Sequence, residues 1–172
     1  GSQPARVRRP VEHVLIEQGD ESRVVGGAIA VLEFGRGHEP ARDIPICHEC
    51  DVCVVGGSCT GVFAAVRAAQ LGASVCIVEQ GNQFGGNTTL GMVGIWHSLW
   101  DVKGTRQVIG GLTEEVVRRL RPRHAVVEAE RTNPAWQFAL NPAETACELD
   151  LLVLEHRIRP FLHARVVAAR SV

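Results

Sequence analysis

The sequence predicts an α/β protein built around a parallel sheet, and three observations carry that prediction. Asp51-Val52-Cys53-Val54-Val55 is a short apolar run closed by glycines, which suits a strand covered on both faces. An alanine-rich stretch with helical spacing follows over residues 60–71, and Gly72 stands where a helix-terminating residue is expected. Residues 73–78 (ASVCIV) then form a second buried strand, ended by Glu79. Residues 51–79 therefore make one strand–loop–helix–strand unit.

The flanking elements follow in order. Residues 11–17 (VEHVLIE) and 23–34 (RVVGGAIAVLEF) are extended segments, and Gly19-Asp20 between them predicts an N-terminal β-hairpin. Residues 35–50, with Gly35, Gly37, Pro40 and Pro45, form a loop. The chain thus divides into an extension, 1–50, and a main domain, 51–172. Residues 81–111 are glycine-rich, with doublets at Gly85-Gly86 and Gly110-Gly111. Thr113 is placed to cap a helix over 114–121. Asn141-Pro142-Ala143-Glu144 supplies an N-cap, a proline at N1 and a glutamate at N3, opening a helix to about His156. Residues 161–169 complete the pattern as a strand.

Composition narrows the function classes. The 172 residues are 45% hydrophobic and 22% charged with a formal net charge of −1, so neither nucleic acid nor a membrane surface is an expected partner. No apolar run reaches the roughly 20 residues of a transmembrane helix. The first twenty residues carry Arg6, Arg8 and Arg9 without an apolar core, so no signal peptide is expected. Five of the six cysteines fall within residues 47–76, which is no disulfide framework, and a reducing, cytoplasmic setting is expected.

The loop between strand and helix, Val54-Val55-Gly56-Gly57-Ser58-Cys59-Thr60-Gly61, is a dinucleotide-binding fingerprint, G-x-G-x-x-G, with Ser58 at the middle glycine. Gly56 supplies the tight turn out of the strand and Gly61 the close helix–strand packing, with the helix N-terminus facing phosphate. Ser58 adds a hydroxyl able to donate to a phosphate oxygen. Glu79, 18 residues after Gly61, is positioned to accept from ribose hydroxyls and disfavours a 2′-phosphate. These residues alone leave NAD and FAD open.

Residues 51–91, DVCVVGGSCTGVFAAVRAAQLGASVCIVEQGNQFGGNTTLG, resemble the N-terminus of FAD-dependent oxidoreductases with the glutathione-reductase type of flavin fold, in the broad group that includes fumarate reductase flavoproteins. The distinguishing feature is the second glycine site, Gly85-Gly86 with Asn87-Thr88-Thr89, a few residues after Glu79. The resemblance implies a Rossmann-like FAD-binding domain in which Gly56, Gly57, Ser58, Thr60, Gly61, Glu79, Gly85 and Gly86 contact FAD. VIGGLTEEVVRRL and NPAETACELDLLVLEHRIRPFLHARVVAA are similar to later segments of the same family, which implies that the backbone near Val166 flanks the adenine. Family members continue well beyond the point equivalent to Val172, into a second glycine-rich stretch with an aspartate that completes the flavin site. The chain is therefore expected to be the N-terminal part of the domain, either a fragment of a longer protein or, as the favoured expectation, completed by a second polypeptide that is a separate subunit or a cleavage product.

Cys47-His48-Glu49-Cys50-Asp51-Val52-Cys53 has a spacing that suits iron–sulfur or zinc ligation, or a redox pair. Cys53 and Cys76, however, belong to buried strands, where cysteine acts as a small hydrophobe, and no metal is expected. In Gly94-Ile95-Trp96-His97-Ser98-Leu99-Trp100, His97 is the candidate for substrate binding, proton transfer or covalent flavin attachment, against the alternative of a histidine satisfied within the fold. Arg106 is a candidate for an anionic substrate or a solvated arginine. Arg118, Arg119, Arg121 and Arg123 sit at a helix end, where cations offset the dipole on a charged surface. The leading expectation is an FAD-dependent oxidoreductase acting on a small-molecule substrate. Two alternatives stand beside it: an NAD-dependent dehydrogenase, which leaves Gly85-Gly86 without a role, and a non-catalytic subunit that keeps the nucleotide fold to bind a partner chain.

Overall fold

The computed structural model describes residues 13–18, 46–129 and 137–170. In chain order the elements are β1 (His13–Gln18), β2 (Val52–Val55), α1 (Cys59–Gln70), β3 (Val75–Val78), β4 (Ile95–His97), α2 (Leu112–Leu120), β5 (Val126–Glu128), β6 (Gln137–Leu140), α3 (Pro142–Glu155), β7 (Arg159–Phe161) and β8 (Ala164–Arg170).

The central sheet is parallel, with strand order β2-β3-β7. Val52 to Val55 pair residue by residue with Val75 to Val78, and Cys76 to Val78 pair with Arg159 to Phe161. All four residues of β3 are buried, because a strand paired on both sides and covered by helices needs apolar side chains on both faces. Helix α1 places Val62, Ala65 and Val66 in the core, and α3 adds Leu149, Leu152 and Val153. Helix α2 packs on α3 and contributes Val116, Val117 and Leu120. No described helix is long and apolar enough to cross a membrane.

Strand β2 departs from its expected burial on both faces. Its first three residues are half-buried and Val55 is 61% exposed. Among the described residues β2 pairs with β3 alone, so it lies at an edge where half of its cover is absent.

A second, antiparallel sheet in the order β4-β6-β5 was not anticipated. Its strands have three or four residues, too few to display a period of two between glycines and turns. It still matters to the core, since Phe138 and Leu140 of β6 are buried.

The strand expected over 161–169 is two strands. The chain breaks at His163, which adopts a left-handed φ of 52° and turns β8 out of the central sheet. There β8 pairs antiparallel with β1, Ile16 opposite Val166, with an irregularity between Leu15 and Ile16. The first arm of the expected hairpin is thus a strand whose described partner is β8, while the second arm, 23–34, lies outside the described residues.

Helix ends show which capping signals hold. Asn141 caps α3 as expected, its Oδ1 accepting from Ala143 N at 3.0 Å and Glu144 N at 3.2 Å. Helix α2 begins earlier than expected, at Leu112. Gly111 is its N-cap at φ 66° and gives no side-chain bond, which leaves Thr113 inside the first turn.

The arginine cluster is more than a charged surface. Arg119 bonds Glu115 at 2.7 Å and Glu155 at 2.8 Å, and Arg121 bonds Glu128 at 2.6 Å. Arg123 bridges Glu144 and Glu148. Glu148 is only 2% exposed, and its partners are Arg123 and, at 3.8 Å, Arg119. Arg118 stands 3.9 Å from Glu115 at an exposed position. Arg123→Ala is therefore expected to cost about 1–3 kcal/mol by stripping a partner from a buried carboxylate. Arg118→Ala should stay within about 0.5 kcal/mol. Denaturant midpoints of the two variants check the difference.

Candidate functional site

The carboxyl ends of β2 and β3 carry two glycine loops. Strand β2 stops at Val55, and Gly56, at φ 96°, turns the chain while its N–H donates to Val78 O at 2.8 Å. A Cβ at Gly61 would lie 1.9 Å from Gly56 O, so α1 seats directly on this turn. The tight-turn and helix-packing roles fall on Gly56 and Gly61, where the fingerprint puts them.

Gly57 is the other tight glycine of the first loop. A Cβ there would meet Phe84 at 2.4 Å and the Glu79 Cβ at 2.9 Å. Ser58 has φ −60° and ψ 169°, extended backbone open to any residue, and its Oγ accepts from Gly61 N at 3.3 Å as the N-cap of α1. A serine is tolerated there because its side chain is exposed and completes the helix end. The hydroxyl oxygen is used internally, while its proton stays available to an outside acceptor. Thr60 is exposed on the same first turn.

Glu79 joins the loops. Its Oε2 accepts from Gly57 N at 2.6 Å and its Oε1 from Gly81 N at 2.7 Å. The second glycine loop docks on the first: Gly85 N donates to Gly57 O at 2.8 Å, and Cys59 Sγ contacts Gly85 O at 3.6 Å. Burial pushes the Cys59 thiol up, which keeps it protonated in this contact. Gly85 and Gly86 have φ 106° and 55°, the left-handed conformations that glycine adopts freely. Thr89 Oγ1 donates to Phe84 O at 2.6 Å, and Trp96 Nε1 donates to Thr88 Oγ1 at 3.1 Å. Trp96 also packs edge-on against Phe63 of α1, with ring centroids 6.3 Å apart. Past the second loop, Leu90, Met92, Val93 and Ile95 expose apolar side chains.

The remaining candidates lie around this core. His97 is exposed on β4, where alternation turns it to the face opposite Trp96. Ala164 N donates to Glu79 O at 3.0 Å, so Val166, two residues along β8, follows directly from the Glu79 end of the sheet. The exposed Arg106 closes a turn, its N–H and that of Thr105 holding the Asp101 carboxyl below its ordinary value. Among the described residues no group of three or more His, Cys, Asp or Glu has the arrangement of a metal site. Sequence reasoning missed the steric demand at Gly57 and the tie from Trp96 to Thr88. The Gly-Gly pair was the signal for the first, and nothing in the sequence gave the second.

A family model described as FAD dependent oxidoreductase matches residues 51–171 of the 172. The chain belongs to that family. Solved structures similar to it include Thermovibrio ammonificans THI4, at 20% identity over 66% of this chain and 38% of that one, with a TM-score of 0.42. Another is a geranylgeranyl bacteriochlorophyll reductase-like protein from Thermoplasma acidophilum, at 15% identity over 66% of this chain and 30% of that one, with a TM-score of 0.40. The chain thus spans well under half the length of either. No curated protein matches it.

FAD is the cofactor of an FAD-dependent oxidoreductase, and the residues present suit it. The first N–H groups of α1 have no acceptor within the helix, and its first turn holds no acidic residue to repel an anion. Each Glu79 oxygen takes one backbone N–H and keeps lone-pair capacity for a hydroxyl. Two substitutions test the geometry. Gly61→Ala is expected to lose flavin and about 1–3 kcal/mol by driving a methyl into Gly56 O. Glu79→Ala should cost a similar about 1–3 kcal/mol by orphaning two backbone donors, with Glu79→Gln recovering part of it. Flavin absorbance and thermal melting of each variant supply the readouts.

Proposed function

We propose that this chain carries the pyrophosphate- and ribose-binding half of the flavin site of an FAD-dependent oxidoreductase, of the glutathione-reductase type. The observation that carries the reading is the docking of two glycine loops onto Glu79 at the N-terminus of α1. In this reading residues 51–172 are the N-terminal part of the FAD-binding domain and residues 1–50 an extension to it. FAD, when bound, supplies the hydride or electron chemistry. Gly56, Gly57, Ser58, Thr60 and Gly61 present the helix N-terminus and the Ser58 hydroxyl to the pyrophosphate. Glu79 accepts from the adenosine ribose, Gly85 and Gly86 line the pyrophosphate–ribityl turn, and the Val166 backbone flanks the adenine. His97 is assigned to substrate binding, proton transfer or covalent flavin attachment, and the substrate is a small molecule.

A second polypeptide completes the fold in this reading, as a separate subunit or a cleavage product. The open edge of β2, the exposed Val55 and the exposed apolar run from Leu90 to Ile95 support it, since such surface is costly to leave in water. A cytoplasmic location fits the six free thiols.

The visible absorption spectrum of the purified protein, with every co-purifying chain left in place, tests the reading. A flavin spectrum is expected, and Gly56→Val should abolish it, because a β-branched residue at φ 96° is strained even though the space is open. Flavin retained by Gly56→Val sinks the assignment of that loop. A colourless protein stabilised by NAD points to a dehydrogenase, and one that binds neither cofactor points to a non-catalytic subunit. If His97 anchors the flavin, acid precipitation leaves colour in the wild-type pellet and none in that of His97→Ala.

A further inference from the structure

Away from the glycine loops, three thiols meet where the chain enters the sheet. Cys53 of β2 and Cys76 of β3 are register partners in neighbouring parallel strands, so their side chains share one face. Cys50, just before β2, turns back onto them and brings its Sγ to 3.4 Å from the Cys76 Sγ. The approach is built in. Asp51 N donates to Ser74 O at 3.0 Å, and the Asp51 carboxylate accepts from Ser74 N at 2.8 Å, which fixes the segment beside β3.

We propose that Cys50 and Cys76 form a reversible disulfide, with Cys53 beside them as a thiol that does not join the bond. Closing the sulfurs to a bond of about 2.05 Å requires a small movement. Cys50 lies outside the ladder, its Sγ also contacting Val52 O at 3.4 Å, whereas Cys53 is held by the β2–β3 pairing.

The two cysteines take different parts. Cys76 is 3% exposed, and burial, with Cys50 and Cys53 adding in the same direction, pushes its thiol well above its ordinary value. It stays protonated and out of reach of solution reagents, so oxidation enters through the half-buried Cys50. The oxidant is a low-molecular-weight disulfide. The Cys50 thiolate attacks one of its sulfurs, breaking that S–S bond and releasing one small thiolate. The small thiolate released in that step takes the Cys76 proton, and the Cys76 thiolate so formed attacks the Cys50 sulfur of the mixed disulfide, expelling the second small thiol as its thiolate. Two protein thiols are oxidised and one small disulfide is reduced to two thiols. The new bond ties the segment before β2 to the central strand, three residues ahead of Glu79.

The test treats the full protein with oxidised glutathione, quenches with acid, and alkylates with N-ethylmaleimide before trypsin digestion. Arg67 lies between the two cysteines, so a Cys50–Cys76 bond joins two tryptic peptides. Alkylation is expected to fall by two of the six thiols, with a peptide pair that dithiothreitol separates. Cys50→Ser should abolish the cross-link and Cys53→Ser should retain it. Six alkylated thiols, glutathione remaining on Cys50 in place of the cross-link, or a cross-link that survives Cys50→Ser would each overturn the proposal. Flavin content, measured on the same samples, keeps this outcome separate from the cofactor reading.

Discussion

Glu79 ends the central strand with a carboxylate whose two oxygens accept the N–H groups of Gly57 and Gly81, and the shape of both glycine loops follows from those bonds. The bond to Gly57 pulls the first loop against the end of β3. That leaves no room for a side chain at Gly57 and turns its carbonyl towards Gly85 N. The second loop is then fixed by backbone pairing to the first. Thr89 and Trp96 extend the tie into the segment beyond. One charged side chain thus organises residues from 57 to 96. A carboxylate suits this task because charge-assisted bonds to backbone N–H groups are stronger than neutral ones.

The same carboxylate faces a helix N-terminus whose first donors are unsatisfied inside the helix. Each Glu79 oxygen accepts one backbone N–H and keeps hydrogen-bonding capacity to spare. Ser58 belongs to this balance. Its Oγ caps Gly61 at 3.3 Å, so the helix end is satisfied by a side chain of the loop itself.

Packing elsewhere follows from how many neighbours each element has. β3, paired on both sides, is buried throughout, while β2, of equally apolar sequence, is half-open at the described edge. Helices α1, α2 and α3 close one core through Val66, Leu120, Leu149 and Leu152. On its polar side, Arg119 and Arg123 hold the buried Glu148, so part of the basic cluster acts as counter-charge for the interior.

The sequence by itself determined the elements whose signals are local. The β2–α1–β3 unit, the glycine turn at Gly56, the Asn141 cap and the dinucleotide-binding fingerprint are all written in contiguous residues with a period or a spacing that physics constrains, whereas the choice of FAD came from the family resemblance. Tertiary structure decided whatever depends on a distant partner. Strand VCVV was apolar enough for full burial, yet its exposure was set by the neighbours it has. The continuous run 161–169 was broken at His163 because Gly81 and Glu79 draw the backbone away from β7. The antiparallel sheet β4-β6-β5 joins residues some forty positions apart with strands too short to announce themselves. The thiol contact of Cys50 with Cys76 depends on strand register as much as on spacing. Local chemistry fixes turns, caps and periods, whereas register, edges and long-range contacts arise only when the chain closes on itself.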